Sequence, residues 1–187
     1  MRRLFAPLIL VGALTLSACS PAPPPGSTLP GPVPEGVEYH PIDTDAFPQA
    51  PDAQFELLDG TVLSLSDLWS DRPVLLAFTE SWCELCIDAQ AELNSVVEKY
   101  GDAVTVISVA ERSDVEQMTT FARDNDVAHL IARDPSSAAW KSYAVAEPPF
   151  LVVIGAEGTL LRGWRGVVED LDGAVEEILV KSVPPTG

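Results

Sequence analysis

The sequence predicts an α/β fold, a mixed sheet flanked by helices, and three observations carry that expectation. Apolar runs of strand length, Val74 to Phe78 and Val104 to Ala110, alternate with stretches whose apolar residues recur every three or four positions. Two of those stretches open on capping signals, Ser113-Asp114-Val115-Glu116 and Asp134-Pro135-Ser136. Turn signals frame the alternation, with Asp59-Gly60 near its start and Ala156-Glu157-Gly158 near its end.

In chain order, Phe55 to Leu58 and Val62 to Leu65 flank Asp59-Gly60 as an N-terminal hairpin, and Ser66 to Trp69 forms a brief helical turn. Val74 to Phe78, bounded by Pro73 and polar residues, reads as a central strand covered on both faces. A helix then runs to Tyr100 with Leu85, Ala89, Leu93, Val96 and Tyr100 toward the sheet and Glu84, Asp88, Glu92 and Glu98 in water. Gly101 is its C-cap candidate. Val104 to Ala110 is a second buried strand, and the capping box at Ser113 to Glu116 starts a helix to about Asn125. Ala128 to Ala132 is a short strand, and the Asp134 segment opens a helix carrying Trp140 and Tyr143. Phe150 to Ile154 and Thr159 to Trp164 pair as antiparallel strands, and Asp170 to Lys181 closes the domain as an amphipathic helix.

Composition divides the 187 residues into four parts. Residues 1–18 read as a signal peptide, with Arg2 and Arg3 ahead of an apolar run from Leu4 to Leu16 that is short for a membrane span. Residues 19–52 form a tether: Ser20 to Pro51 holds ten of the seventeen prolines and few large apolar residues, and at ~3.1 Å per residue it reaches at most about 100 Å. Residues 53–183 make one domain, and 184–187 a tail. The net charge of -17 becomes -19 when Arg2 and Arg3 leave with the signal. A surface of that sign repels nucleic acid and anionic headgroups.

The chemistry concentrates at Trp82-Cys83-Glu84-Leu85-Cys86, where a strand delivers Cys-x-x-Cys to a helix N-terminus. Orphan N–H groups and the helix dipole stabilise a thiolate at Cys83, the candidate nucleophile, and Cys86 one turn along is the candidate resolving thiol. A bridge closing so short a loop stabilises by only about 2 kcal/mol, so structural reinforcement is a poor reason for the pair. Zinc needs two more soft ligands, and the two histidines, His40 and His129, lack ligand spacing, so no metal site is expected. No organic cofactor is implied, since G-x-G-x-x-G does not occur. Trp82 is open to two readings, core packing or contact with a partner beside Cys83.

With these residues in hand, residues 53–179 resemble the thioredoxin fold, in its exported, membrane-tethered TlpA/ResA-like branch. The marks are the N-terminal β-hairpin, Trp-Cys-x-x-Cys, an inserted βα unit ahead of Asp134, and a Pro-x-x-aliphatic pattern leading to Glu157-Gly158. Leu16-Ser17-Ala18-Cys19 similarly resembles a bacterial lipoprotein signal, which implies acylation of Cys19 and attachment to a membrane facing periplasm or cell exterior. The resemblance implies a cis-proline at Pro149 and substrate contacts by Trp82, Pro148 and Pro149. Pro148 lacks an N–H for pairing with a substrate backbone. The fold's usual buried acid is replaced by Ala77, and Ala89 and Ala91 stand where the branch often has Glu and Pro. Glu80 or Glu84 is the candidate for proton transfer, against the alternative that both are solvated charges.

The resemblance implies a thiol–disulfide oxidoreductase that reduces disulfide-bearing exported proteins, cytochrome c apoproteins among the possible clients, with electrons from a membrane donor. Glu80, Glu84 and Asp88 oppose a thiolate at Cys83, which points to a reducing rather than an oxidising pair. The alternative class is a copper chaperone that binds Cu(I) through Cys83 and Cys86, loosely similar to Sco-type proteins, with His129 as the nearby third ligand.

Overall fold

The computed structural model describes residues 23–182. Its elements are β1 (Glu38–Tyr39), β2 (Gln54–Leu57), β3 (Val62–Ser64), α1 (Leu65–Leu68), β4 (Val74–Phe78), α2 (Glu84–Asp88), α3 (Gln90–Tyr100), β5 (Thr105–Ala110), α4 (Val115–Asp124), β6 (Leu130–Arg133), α5 (Ala138–Ser142), β7 (Phe150–Ile154), β8 (Leu160–Arg165), α6 (Leu171–Ile178) and β9 (Val180–Ser182). Seven strands form one sheet in the order β3-β2-β6-β5-β4-β7-β8. β4, β5 and β6 are parallel, while β2, β7 and β8 run against their neighbours. This is the mixed, helix-flanked, thioredoxin-like sheet expected.

β4 takes the central place because Val74, Leu75, Leu76, Ala77 and Phe78 are all buried, each large side chain contributing roughly 1.5–3 kcal/mol by leaving water. On one face Phe55, Leu76, Phe78, Ile107, Trp140 and Val152 pack together, with Phe78 edge-on to the Trp140 ring. On the other, Leu75, Ala77, Val106 and Val153 meet Leu93 and Val96 of α3 and Leu171 and Val175 of α6. Lys99 ties α3 to α6 through Asp172 and Glu176. The parallel strands all end at the same pole, where β4 hands the chain to the cysteines.

Three local expectations are corrected. The helix is capped by Asp114 with Gln117 as its reciprocal partner, one residue beyond the expected box, because Ser113 spends its hydroxyl on Glu80. Leu85 is not on the buried stripe: it is 52% exposed, while Ala89, Leu93, Val96 and Tyr100 are buried as expected. The helix is also divided between α2 and α3 at Ala89, with no proline present. The Gln90 side chain donates to the Cys86 carbonyl (2.8 Å) and intrudes on the helical ladder. The closing helix is also shorter than expected, since Val180–Ser182 leaves it to pair with β1.

The largest correction concerns the tether. Residues 23–51 are irregular and proline-rich, yet they lie along the domain as a strap. Gly26 accepts from the Ile131 N–H, Gly31 donates to the Asp102 carboxylate, and Tyr39 donates to the Ala103 carbonyl. Further on, β1 pairs with β9, and Leu160 and Ala50 exchange backbone bonds with Pro48 and Gly158. Asp102, Ala103 and Gly158 all lie at the end of the sheet opposite the cysteines. The strap needs no core of its own, because the domain supplies the bonds. At Gly26, φ is +76° and a Cβ would stand 2.9 Å from Ile131, so the close approach requires glycine. Gly26→Val is expected to detach the leading end of the strap: proteolysis within residues 23–37 should rise several-fold while unfolding free energy moves by less than about 1 kcal/mol.

Candidate active site

Cys83 caps α2 from an extended conformation (φ -90°, ψ 107°), and its Sγ accepts the backbone N–H of Cys86 at 3.1 Å. The two cysteines are joined in a disulfide with Cα atoms 5.2 Å apart. Cys83 is 6% and Cys86 1% exposed, so the outer sulfur belongs to the more accessible residue. The helical hydrogen bonding carries across the break, since Ala89 donates to Leu85 and Leu93 to Ala89. The N–H groups that face Cys83 are therefore the start of one long spiral, the arrangement that favours negative charge on sulfur after reduction.

Around the pair stands an apolar collar. Trp82 is 58% exposed, which removes core packing as its role, and Leu85 and Ile87 are exposed beside it. Across from it the Pro148–Pro149 peptide is cis, with Pro149 buried and Pro148 half-buried. Glu80, Trp82 and Pro148, together with Arg112, Trp140 and Glu147, line one cavity of about 300 Å³. Sequence reasoning missed the last three: Arg112 follows β5, Trp140 lies within α5 and Glu147 in the loop before β7, and only the fold brings these separate segments to one place.

The two candidate acids differ sharply. Glu80 is 1% exposed, and its carboxylate accepts the backbone N–H groups of Glu111 (3.0 Å), Arg112 (2.7 Å) and Ser113 (2.8 Å) and the Ser113 hydroxyl. It is thus not a solvated charge; it fastens the loop after β5 to the loop after β4. Glu84 is exposed in the first turn of α2 with no bonded partner among the described residues. Asp134, buried beneath the same pole, gathers the N–H groups of Ala138, Ala139 and Trp140 and so starts α5.

His129 lies on the sheet, buried, with Nε2 2.8 Å from the Ser108 hydroxyl and Nδ1 unpartnered. Burial pushes its pKa down to about 3, so it is neutral at physiological pH. Among the described residues no three His, Cys, Asp or Glu side chains are grouped to hold a metal ion. None of the described helices is long and apolar enough to cross a membrane.

Fold and site together define a thioredoxin-like protein. Residues 48–164 match the AhpC/TSA family, and the chain belongs to it. It is 32% identical over 88 residues to the soluble secreted antigen MPT53 of Mycobacterium tuberculosis, covering 47% of this chain and 50% of that one. To the thioredoxin-like protein YneN of Bacillus subtilis it is 28% identical over 116 residues, 60% of this chain and 66% of the relative. The chain thus spans about half the length of the first of these relatives and under two thirds of the second. Among solved structures, a secreted Mycobacterium tuberculosis disulfide oxidoreductase homologous to E. coli DsbE superposes with a TM-score of 0.57 at 24% identity, over 65% of this chain and 90% of that one.

Glu80→Ala strands three backbone N–H groups and is expected to cost about 3 kcal/mol or more in urea unfolding, with faster amide exchange at Glu111, Arg112 and Ser113; Glu80→Gln, which keeps an acceptor oxygen, should recover part of both. His129 gives a pH signature of known sign. Between pH 7 and 5 the unfolded chain binds a proton there that the folded protein refuses, so stability falls on acidification by about 2 kcal/mol. His129→Gln should remove that share, measured as the difference in urea midpoint between the two pH values.

Proposed function

We propose that this protein is an extracytoplasmic thiol–disulfide oxidoreductase of the TlpA/ResA-like kind, anchored through a lipid on Cys19, that reduces disulfides in exported proteins. The observation that carries the reading is the sulfur of Cys83 at the head of the helical spiral with the Cys86 N–H bonded to it. In the reduced protein the Cys83 thiolate attacks a client disulfide, forming a mixed disulfide and releasing one client thiolate. Cys86, deprotonated, then attacks Cys83, forming the intramolecular disulfide and releasing the second client thiolate. Two electrons pass to the client, and a membrane donor returns them.

The collar of Trp82, Leu85 and Ile87 offers apolar contact to a client, and Pro148 and Pro149 form the opposite wall. Pro148 donates no hydrogen bond, so pairing with client backbone is weaker on that side and selection among peptides broader. Glu84 takes the proton-transfer role in preference to Glu80, whose acceptor sites are occupied. Cytochrome c apoproteins, which need free thiols for haem attachment, are one client class. The copper reading is weaker, because His129 is bonded to Ser108 within the core.

Cys86→Ser is expected to accumulate mixed disulfides with exported proteins in the native envelope, and Cys83→Ser to accumulate none. A dithiol–disulfide potential above roughly -150 mV would overturn the reducing direction while leaving the exchange chemistry in place. Tight Cu(I) binding by the reduced pair, lost in His129→Ala, would favour the copper reading instead.

A further inference from the structure

β8 is the last strand of the sheet, and its outer side is only half covered. At its lower end Leu160 donates to the Pro48 carbonyl of the strap, and Gln49 forms a bridge with Thr159. Above that point the strap is gone. Gly166 donates to the Pro149 carbonyl, and with the register Leu151 to Trp164 and Val153 to Arg162 the alternation turns the N–H and C=O groups of Gly163 and Arg165 outward. Neither N–H has a backbone partner among the described residues, and both residues are exposed.

The side chains on this open stretch are unusual for so acidic a chain. Among the described residues Arg72, Lys99, Arg112, Arg123 and Lys181 each pair with a carboxylate, whereas Arg133, Lys141, Arg162 and Arg165 enter no ion pair, and of these only Arg162 and Arg165 share one strand. Arg162 instead lies over the Trp164 ring, 5.1 Å from its centre. Gly163 between them has no side chain, and the face on which a Cβ would point, 3.2 Å from the Phe150 ring, opens on a groove of about 430 Å³ lined by Phe47, Pro51, Tyr143, Phe150 and Val152.

We propose that the upper edge of β8 is a docking strand for an extended acidic segment of a partner protein, separate from the dithiol. The segment adds antiparallel to β8, its backbone meeting the outward groups of Gly163 and Arg165. One carboxylate faces Arg165, a second faces Arg162 three positions later, and the residue just before that second acid is apolar and enters the groove above Gly163. Occupants from the chain itself fit poorly. Residues 1–22 and 183–187 contain no Asp or Glu. A second copy paired antiparallel about Trp164 would set Arg165 opposite Gly163 and Arg162 opposite Gly166, giving neither arginine a carboxylate.

The test uses the intact protein in its oxidised form and a capped peptide with two glutamates three positions apart and leucine just before the second. Titration should shift the amide resonances of Leu161 to Gly166 and slow exchange at Gly163 and Arg165, leaving those of Trp82 to Cys86 unmoved. The double variant Arg162→Glu, Arg165→Glu should weaken binding about ten-fold or more, and leucine to alanine in the peptide several-fold. Absence of shifts at the β8 edge, equal binding by the double variant, or protection of the same amides by concentration-dependent self-association without peptide would each overturn the proposal. Failure here leaves the exchange chemistry of Cys83 and Cys86 intact, since neither arginine belongs to it.

Discussion

One contact, the backbone N–H of Cys86 directed at Cys83 Sγ, sets the demands that the rest of the structure meets. A sulfur can cap a helix only if the residue before the first turn is extended and the turn begins in a fixed place. The fixed place comes from β4, whose burial on both faces pins the point at which the chain emerges. The extended residue comes from the loop at residues 79–82, and that loop is held because Glu80 reaches across to the next βα loop and takes its three N–H groups. A buried carboxylate with four donors is costly to remove and rigid while present, which suits a residue three positions ahead of a nucleophile.

The same bonds change how charge acts at the dithiol. Read along the chain, Glu80, Glu84 and Asp88 form an acidic group that opposes a thiolate. In space Glu80 is turned toward backbone donors that offset its charge, while Glu84 and Asp88 stand in water, where screening reduces their influence. The balance at Cys83 is thus set mainly by the helix start against two screened carboxylates. Beneath it Ala77 and the neutral His129 supply no charge from the core side.

Much of this was legible in the residues. Val74 to Phe78 is a strand with the expected bounds because an uninterrupted apolar run tolerates only a place covered on both faces. The cysteine pair was legible because spacing and position after a strand are local signals. What escaped depended on partners distant in sequence. Ser113 looks like a cap until Glu80 claims its hydroxyl, and Leu85 fits the helical stripe but falls in the first turn, at the open pole near the exposed Trp82. The strap was missed for the same reason: composition shows that residues 23–51 cannot form a core, but not that Ile131, Asp102 and the β9 edge offer them hydrogen bonds.

The strap also alters what an anchor at Cys19 would accomplish. If the whole proline-rich stretch were unattached, its reach of about 100 Å would let the dithiol sweep widely over a membrane. With the chain fastened from Gly26 onward, only residues 19–25 would separate a lipid on Cys19 from the domain, a reach of at most about 25 Å. The domain itself is roughly 40 Å across for its length. Such a leash would leave the domain at Gly26, which is bonded to Ile131, and Ile131 packs in the same apolar cluster as Cys83 and Cys86, so the attachment lies on the flank of the domain nearer the dithiol than the far pole.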